Sequence, residues 1–299
     1  MNALQTYPGQ QWSSILFKLS EFRVELWLGL TLVVYVIVSY LGRRANTYVA
    51  RNVMLAVAPA LREEFAGVGF NDHLFVLDGG DSVKSYATGR RAFDRAWIQV
   101  KLPSRQDPLV YLNHLRAIFD QSYQPKTDRF TLECELSEPS GSFCFAILDR
   151  RVLRTTRERW DMLTFTCVSE HTNVDPSLIV LTESGDINSA LLRNPANNIL
   201  GDFFAPGSQS LQCFESLVIT DSGGSAPGDI AFRLPDKNLR IELALRLPPT
   251  SHLQELAPWV NLVCDLGDLL HSKQNLVPKM AVTKGASHHL PKGLWAVAV

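Results

Sequence analysis

The longest hydrophobic stretch of the chain reads LWLGLTLVVYVIVSYLG, and no charge interrupts it between Leu26 and Gly42. A helix rises about 1.5 Å per residue and must cross about 30 Å of hydrocarbon, so this stretch is at the short end of membrane spans. Apolar residues surround the helix without the polar stripe of a soluble surface helix. The pattern predicts a retained transmembrane helix over residues 23–42, including Leu26, Trp27, Val33, Val36 and Tyr40.

Two other structures compete with a membrane anchor. A cleaved signal peptide normally has a short basic lead and small residues at its cleavage site. Here the acidic residues Glu21 and Glu25 precede the run, and SYLGRR is a poor cleavage site. A buried helix of a soluble protein is the alternative that the pattern leaves open, because runs of this length occur in soluble cores.

The flanking charges predict the orientation of the span. Lys18 and Arg23 precede it and are partly offset by Glu21 and Glu25, whereas arginines follow it at positions 43, 44, 51 and 62. The side with more positive charge normally stays in the cytosol. We therefore expect a short lumenal segment over residues 1–22 and the C-terminal bulk of the chain in the cytosol.

The helical pattern continues from residue 43 to 66, where apolar residues recur at three- and four-residue intervals. Pro59 is expected to bend or restart this helix. Strands are predicted at residues 83–90 and 94–102, and in RFTLECEL, SFCFAIL, LIVLT, LQCFESLVITD and NLRIELALRL. Hairpin-like pairs outnumber βαβ units, so we predict a mixed α+β domain over residues 43–272 and an irregular tail over residues 273–299.

Three more helices are predicted among these strands. One begins with Asp107 as N-cap and Pro108 in its first turn. Its predicted buried stripe consists of Leu109, Leu112, Leu115 and Phe119. The second is DRRVLRTTRERWDML, whose inward-facing residues are predicted to be Val152, Leu153, Trp160 and Leu163. The last has Ser251 as its predicted N-cap and buries Leu253, Leu256, Val260, Val263 and Leu266.

Composition and charge add little to this picture. The chain has 299 residues and a formal net charge of −1, which indicates neither a nucleic-acid partner nor an acidic one. Its cysteines are odd in number, widely spaced and free of C-x-x-C pairs, so neither a zinc site nor a disulfide framework is predicted. A reducing cytosol suits such cysteines.

Catalytic motifs are sparse. No phosphate-binding loop, dinucleotide-binding glycine motif or H-E-x-x-H motif occurs, and no cofactor or metal is predicted. TDSGGSAPGD resembles the active-site stretch of serine proteases with Ser222 as nucleophile, but no histidine has the matching context. A glycine-rich turn explains the same residues. We expect a non-catalytic protein, with a membrane-anchored, hydrolase-like enzyme as the alternative.

One cluster of positive charge stands out in DRRVLRTTRER. In a helix Arg150, Arg154 and Arg157 fall on one face, and Arg151 belongs to the same cluster. Such a stripe is a candidate contact for nucleic-acid phosphate backbones or for anionic lipid head groups. A solvated helix face with local salt bridges is the alternative.

The order of these features resembles the calumin-like, coiled-coil-domain-containing subunits of the PAT complex. YATGRRAFDRAWIQVKLPSRQDPLVYL is similar to the family's pattern of Ser/Thr-Gly-Arg, a strand ending in Ile-Gln-Leu, and Arg-Gln-Asp opening a helix. The matching positions are Gly89, Arg90, Ile98, Gln99, Arg105, Gln106 and Asp107. DRRVLRTTRERWDMLTFTC, SLIVLTESGDINSALL and LPDKNLRIELALRLPP match further pieces in the family's order.

This resemblance implies a function and a set of partners. Family members sit in the endoplasmic reticulum membrane beside the protein-conducting channel, contact the ribosome, and pair with a small multi-span protein, Asterix. Together they shield nascent segments of multi-pass membrane proteins. The resemblance therefore implies an intramembrane-chaperone subunit, a role that is useful because polar transmembrane segments are costly in lipid until they find partners.

Two family features are not matched. Members commonly carry a long acidic lumenal segment linked to calcium, whereas the acids before this span are Glu21 and Glu25, so calcium binding is not expected. Members also end in a charged coiled coil, whereas residues 273–299 show no heptads. Ribosome docking through a coiled coil is therefore not expected of this tail.

Overall fold

One unbroken helix, α1 (Arg23–Glu64), begins the computed structural model. The helix continues through Pro59, so the predicted restart at this proline is wrong. Proline has no backbone N–H, so Pro59 leaves the Leu55 carbonyl without its helical donor. Both residues lie on the exposed side of the helix, where this carbonyl is accessible to solvent. The structure describes residues 23–70, 73–111, 127–137, 141, 143–169, 174–192, 199–207, 209–221 and 239–271.

Ten strands in this described part of the chain form one antiparallel sheet. The order across the sheet is β1-β3-β4-β5-β10-β9-β6-β8-β7, and β2 also pairs with β3. The strands are β1 (Gly67–Val68), β2 (Val76–Asp78), β3 (Ser82–Thr88), β4 (Phe93–Lys101), β5 (Arg129–Leu136), β6 (Phe145–Asp149), β7 (Cys167–Ser169), β8 (Leu178–Thr182), β9 (Phe214–Thr220) and β10 (Arg240–Arg246). All seven predicted strands are confirmed.

The helices cover the sheet on both faces. They are α2 (Leu153–Arg157), α3 (Trp160–Phe165), α4 (Gly185–Leu192), α5 (Ile199–Phe203) and α6 (Ala257–His271), with 3-10 turns at Gln209–Cys213 and Thr250–Leu256. The second half of α1 and α6 pack on one face and bury residues such as Val57, Leu61 and Val263 against Ile98 and Leu132. A smaller cluster on the other face joins α3 to β6, β8 and β9. The α+β prediction with one N-terminal apolar helix is confirmed.

The helix predicted after Asp107 begins as expected. The backbone N–H of Leu109 donates to the Asp107 side chain at 2.9 Å, which satisfies an amide that the helix leaves free. However, Leu109 is 62% exposed, so its assignment to a buried stripe is wrong. Leu112, Leu115 and Phe119 lie outside the described residues, as do Ser222, residues 1–22 and the tail 273–299.

The predicted arginine-rich helix is two short helices instead of one. Arg159 is extended between α2 and α3, where its guanidinium reaches Asp161 at 3.0 Å and Glu242. Arg150 lies in a turn before α2, so Arg150, Arg154 and Arg157 do not share the face of one helix. Leu163, predicted to face inward, is 60% exposed.

The five residues predicted to be buried in the last helix are all buried, with Leu253 and Leu256 in the 3-10 turn and Val260, Val263 and Leu266 in α6. The predicted start of this helix is wrong. Ser251 lies inside the 3-10 turn that precedes α6, and no side chain caps the start of that turn, which follows Pro249.

Candidate functional site

The first half of α1 extends out of the folded domain. Val24–Glu64 contains a segment apolar enough to cross a membrane, and none of that segment is buried. The predicted transmembrane residues Leu26, Trp27, Val33, Val36 and Tyr40 are between 46% and 69% exposed. A core helix would be covered by protein, so the structure contradicts that alternative. Apolar surface of this extent requires lipid or a protein partner.

The helix enters the domain at Gly42, which ends the uncharged stretch. Gly42 is buried against the backbone of Arg105 and Gln106, and a Cβ atom at this position would overlap the Arg105 carbonyl. Glycine therefore permits direct contact between the backbone of the helix and that of the loop after β4. The arginines Arg43 and Arg44 follow at once and are exposed.

One turn further along α1, Asn46 is 2% exposed and joins three parts of the chain. Its Nδ2 donates to the carbonyls of Gly80 at 2.9 Å and Pro103 at 3.0 Å, and to Gln106 Oε1 at 3.2 Å. Its Oδ1 accepts from Arg105 Nη1 at 2.9 Å. Buried polar groups with every atom satisfied fix one geometry, because any shift leaves a donor or acceptor unpaired.

Arg105 extends this network to the start of β5. Its Nη2 donates to both carboxylate oxygens of Asp128, at 3.0 and 2.9 Å. Charge-assisted hydrogen bonds of this kind are stronger than neutral ones. We call Asn46, Gly80, Arg105, Gln106 and Asp128 the junction cluster, because they fasten the sheet to α1 where the exposed half of the helix ends.

A second fastening lies at the other end of α1. Gly89 has a φ of 93° and stands against Ala66, in the turn before β4. Arg90 bonds the Glu64 carboxylate and reaches Asp268 of α6 at 2.7 Å. Burial alone would lower the pKa of Arg90, but Asp268 and Glu64 outweigh it and raise the pKa. Arg90 therefore stays charged and links α1, the β3–β4 turn and α6.

The residues that matched the family pattern in the sequence therefore do not form one site in the structure. Gly89 and Arg90 lie at the far end of α1, Arg105 and Gln106 lie in the junction cluster, and Asp107 caps a helix. Gln99 is half-buried on β4, opposite Lys84 of β3 and Thr131 of β5, and belongs to neither site.

Sequence reasoning missed the partners of these residues: Gly42, Asn46, Glu64, Asp128 and Asp268. One signal was present. Asn46 is a polar residue on the face of α1 that otherwise carries Ala50, Val53 and Val57, and a lone asparagine at such a position indicates a specific buried partner.

The exposed arginine cluster is distant from the junction in sheet order. Arg150 and Arg151 follow β6, which β10 and β9 separate from β5. Arg151 stands 4.0 Å from Asp149 and Arg154 stands 3.7 Å from Glu158, both on the surface. Exposed pairs of this kind contribute little to stability. Arg150 and Arg157 have no ion-pair partner among the described residues, so their charge is available to a ligand.

Charged residues also line the sheet face opposite α1, but they pair with one another. Arg240 lies 3.3 Å from Glu135 and 3.8 Å from Glu133, and Arg159 bridges Glu242 to the fully buried Asp161. Partial burial, followed by repulsion from Glu242, raises the pKa of Glu133. These pairs organise the surface of the domain.

The described residues offer little for catalysis. They hold no group of three or more His, Cys, Asp and Glu side chains that could bind a metal ion. Burial raises the pKa of the Cys144 thiol, and burial raises the pKa of Cys264 to about 12. Both thiols are protonated at neutral pH and are weak nucleophiles.

Comparison with known proteins matches residues 21–286 to the family described as PAT complex subunit CCDC47. The chain belongs to this family. The match contains α1, the junction cluster and the sheet, and it confirms the family resemblance read from the sequence. This CCDC47-family chain is also 25% identical, over 248 residues, to the UPF0674 endoplasmic reticulum membrane protein of Schizosaccharomyces pombe. That alignment covers 79% of this chain and 64% of the relative, so the chain spans less than two thirds of the relative's length.

Proposed function

We propose that this CCDC47-family protein is a single-pass subunit of an intramembrane chaperone in the endoplasmic reticulum. In this role it assists the folding of multi-pass membrane proteins beside the ribosome-bound channel and catalyses no reaction. Family membership supports the role, and the name of the Schizosaccharomyces pombe relative supports the compartment. The observation that carries the proposal is the unburied apolar half of α1, which the junction cluster holds to the domain.

The exposed half of α1 has the composition of a helix that binds other membrane helices. Gly29 has open space around it, and the Thr31 hydroxyl donates a hydrogen bond to the Trp27 carbonyl at 2.7 Å. Small residues let helices approach closely within lipid, and hydroxyl groups offer hydrogen bonds there. We expect this half to contact a small multi-span partner, Asterix-like, and the nascent segments of client proteins.

The folded domain lies on the cytosolic side in this proposal, and the N-terminal segment lies in the lumen. The exposed Arg43 and Arg44 support this orientation, because they directly follow the span. Arg150, Arg151, Arg154 and Arg157 then face the compartment of the ribosome, where they are candidate contacts for ribosomal RNA or lipid phosphate.

Affinity purification from gently solubilised microsomes tests the role. The tagged full-length protein is expected to recover ribosomes, channel subunits and a small multi-span partner. Substitution of Arg150 and Arg157 by glutamate is expected to reduce ribosome recovery, whereas Arg91→Glu, at another exposed arginine, should leave it unchanged. Recovery of neither ribosomes nor channel subunits by the unmodified protein would refute the proposal.

Protease treatment of sealed microsomes tests the orientation separately. The domain is expected to be cleaved from outside the vesicles, because in this proposal it faces the cytosol. Complete protection of the domain until detergent is added would reverse the assigned topology.

A further inference from the structure

Exposed apolar side chains lie close to the point where α1 enters the domain. Leu109 is 62% exposed and Tyr111 is 49% exposed, and both belong to the helical segment that Asp107 caps. Leu109 was expected to be buried, because it occupies a position with helical apolar periodicity. Neighbouring apolar residues left open together indicate an interaction surface.

Hydrogen bonding fixes the height of this surface along α1. The Tyr111 hydroxyl donates to the Arg105 carbonyl at 3.2 Å. That same carbonyl lies against Gly42, the residue at which the uncharged stretch ends. Tyr111 therefore stands at the level where the span leaves the hydrocarbon.

The length of the span places this level at the membrane boundary. The unburied residues 24–41 rise about 27 Å at about 1.5 Å per residue, close to the hydrocarbon thickness of about 30 Å. Gly42 and the chain that touches it then lie among the lipid head groups. A tyrosine with an apolar ring and a hydrogen-bonded hydroxyl suits that region, as do the flanking cations Arg43 and Arg44.

We propose that Leu109 and Tyr111 form a membrane-contact surface that rests on phospholipid at the base of the span. This inference depends on the membrane placement of α1 in the proposed function. The occupant is the bilayer that holds α1, because the surface continues directly from the membrane-facing helix. Two attachments, the span and this surface, would fix the tilt of the domain relative to the membrane.

Photocrosslinking of the full-length chain tests the surface. Benzoylphenylalanine is placed singly at positions 33, 109 and 163, and each protein is reconstituted into phosphatidylcholine vesicles containing radiolabelled phosphatidylcholine. Leu163 is a matched control, because it is 60% exposed but lies on α3, which packs on the sheet face opposite α1. Position 33 reports on the span itself.

We expect lipid adducts at positions 33 and 109 and only background labelling at position 163. Adducts at 33 but background labelling at 109 would overturn the membrane-contact surface and leave the span intact. Background labelling at 33 would overturn the span and the surface together. Adducts at 109 with a second copy of the chain, in place of lipid, would also overturn the surface.

Discussion

At the scale of single residues, Asn46 is the centre of the hydrogen bonds in the region where α1 meets the sheet. Its buried amide meets Gly80, Pro103, Gln106 and Arg105, which come from two segments far away in the chain. No apolar side chain reproduces these bonds. This amide therefore helps to fix the position of the exposed helix relative to the domain, together with the apolar packing of Val57 and Leu61.

Asn46→Leu is expected to lower the free energy of unfolding by about 2–3 kcal/mol, because buried carbonyls and Arg105 lose their partner. Unfolding of the full-length protein in detergent, followed by tryptophan fluorescence, measures this change. Asn52→Leu is the control, because Asn52 is half-buried on the same helix and makes no hydrogen bond with a described side chain. Equal stability of the two variants would contradict the role of Asn46.

The raised pKa of Glu133 predicts that the stability of the domain depends on pH. Burial, then Glu242, raises the pKa of its carboxyl above the ordinary value of 4.5. Between the ordinary and the raised pKa the folded state binds more protons than the unfolded chain, so this group's contribution to stability falls as pH rises through that window. Above the raised pKa the carboxylate is charged in the folded state, and the full free-energy cost of burying that charge destabilises the domain.

Glu133→Gln is therefore expected to stabilise the domain at neutral pH, with an advantage that vanishes below the ordinary pKa of glutamate. Denaturation midpoints between mildly acidic and neutral pH measure this. The same substitution at Glu63, exposed on α1, should leave the midpoints unchanged. A neutral-pH loss of stability in the Glu133 variant would show that attraction to Arg240 outweighs burial.

At the scale of elements, the sequence predicted strands well because their signals are local. LIVLT became β8 and RFTLECEL became β5, because an apolar run and an alternation of apolar and polar residues can both be recognised from neighbouring residues. The prediction of one arginine-rich helix was wrong because Arg159 leaves helical geometry to reach Glu242, which lies 83 positions away in the chain. The junction cluster could not be predicted from the sequence either, because its hydrogen bonds join residues separated by many positions.

The contact between α1 and the loop after β4 predicts opposite effects for two glycines of one helix. Gly42→Ala is expected to cost about 1–3 kcal/mol, because the added methyl overlaps the Arg105 backbone. Gly29→Ala should leave stability unchanged or raise it by up to about 1 kcal/mol, because nothing lies near that position. Thermal unfolding in detergent measures both. A Gly42→Ala protein as stable as the unmodified one would refute the close contact.

At the scale of the whole molecule, the protein combines an exposed apolar rod with a sheet domain fastened to it at both ends of the packed half. The junction cluster holds one end, and Arg90 with Glu64 and Asp268 holds the other. In the proposed function, a helix fixed this way would transmit the position of the domain into the membrane. The proposed role as a chaperone subunit between a ribosome and nascent membrane segments requires such coupling.

Site-specific crosslinking from the span to a nascent chain tests this account most directly. Benzoylphenylalanine replaces Val36, which is 56% exposed, and microsomes with this protein receive stalled ribosome–nascent chain complexes. The account predicts adducts with a nascent multi-span protein and none with a nascent secretory protein of equal length. Absence of adducts with both, or equal adducts with both, would contradict it.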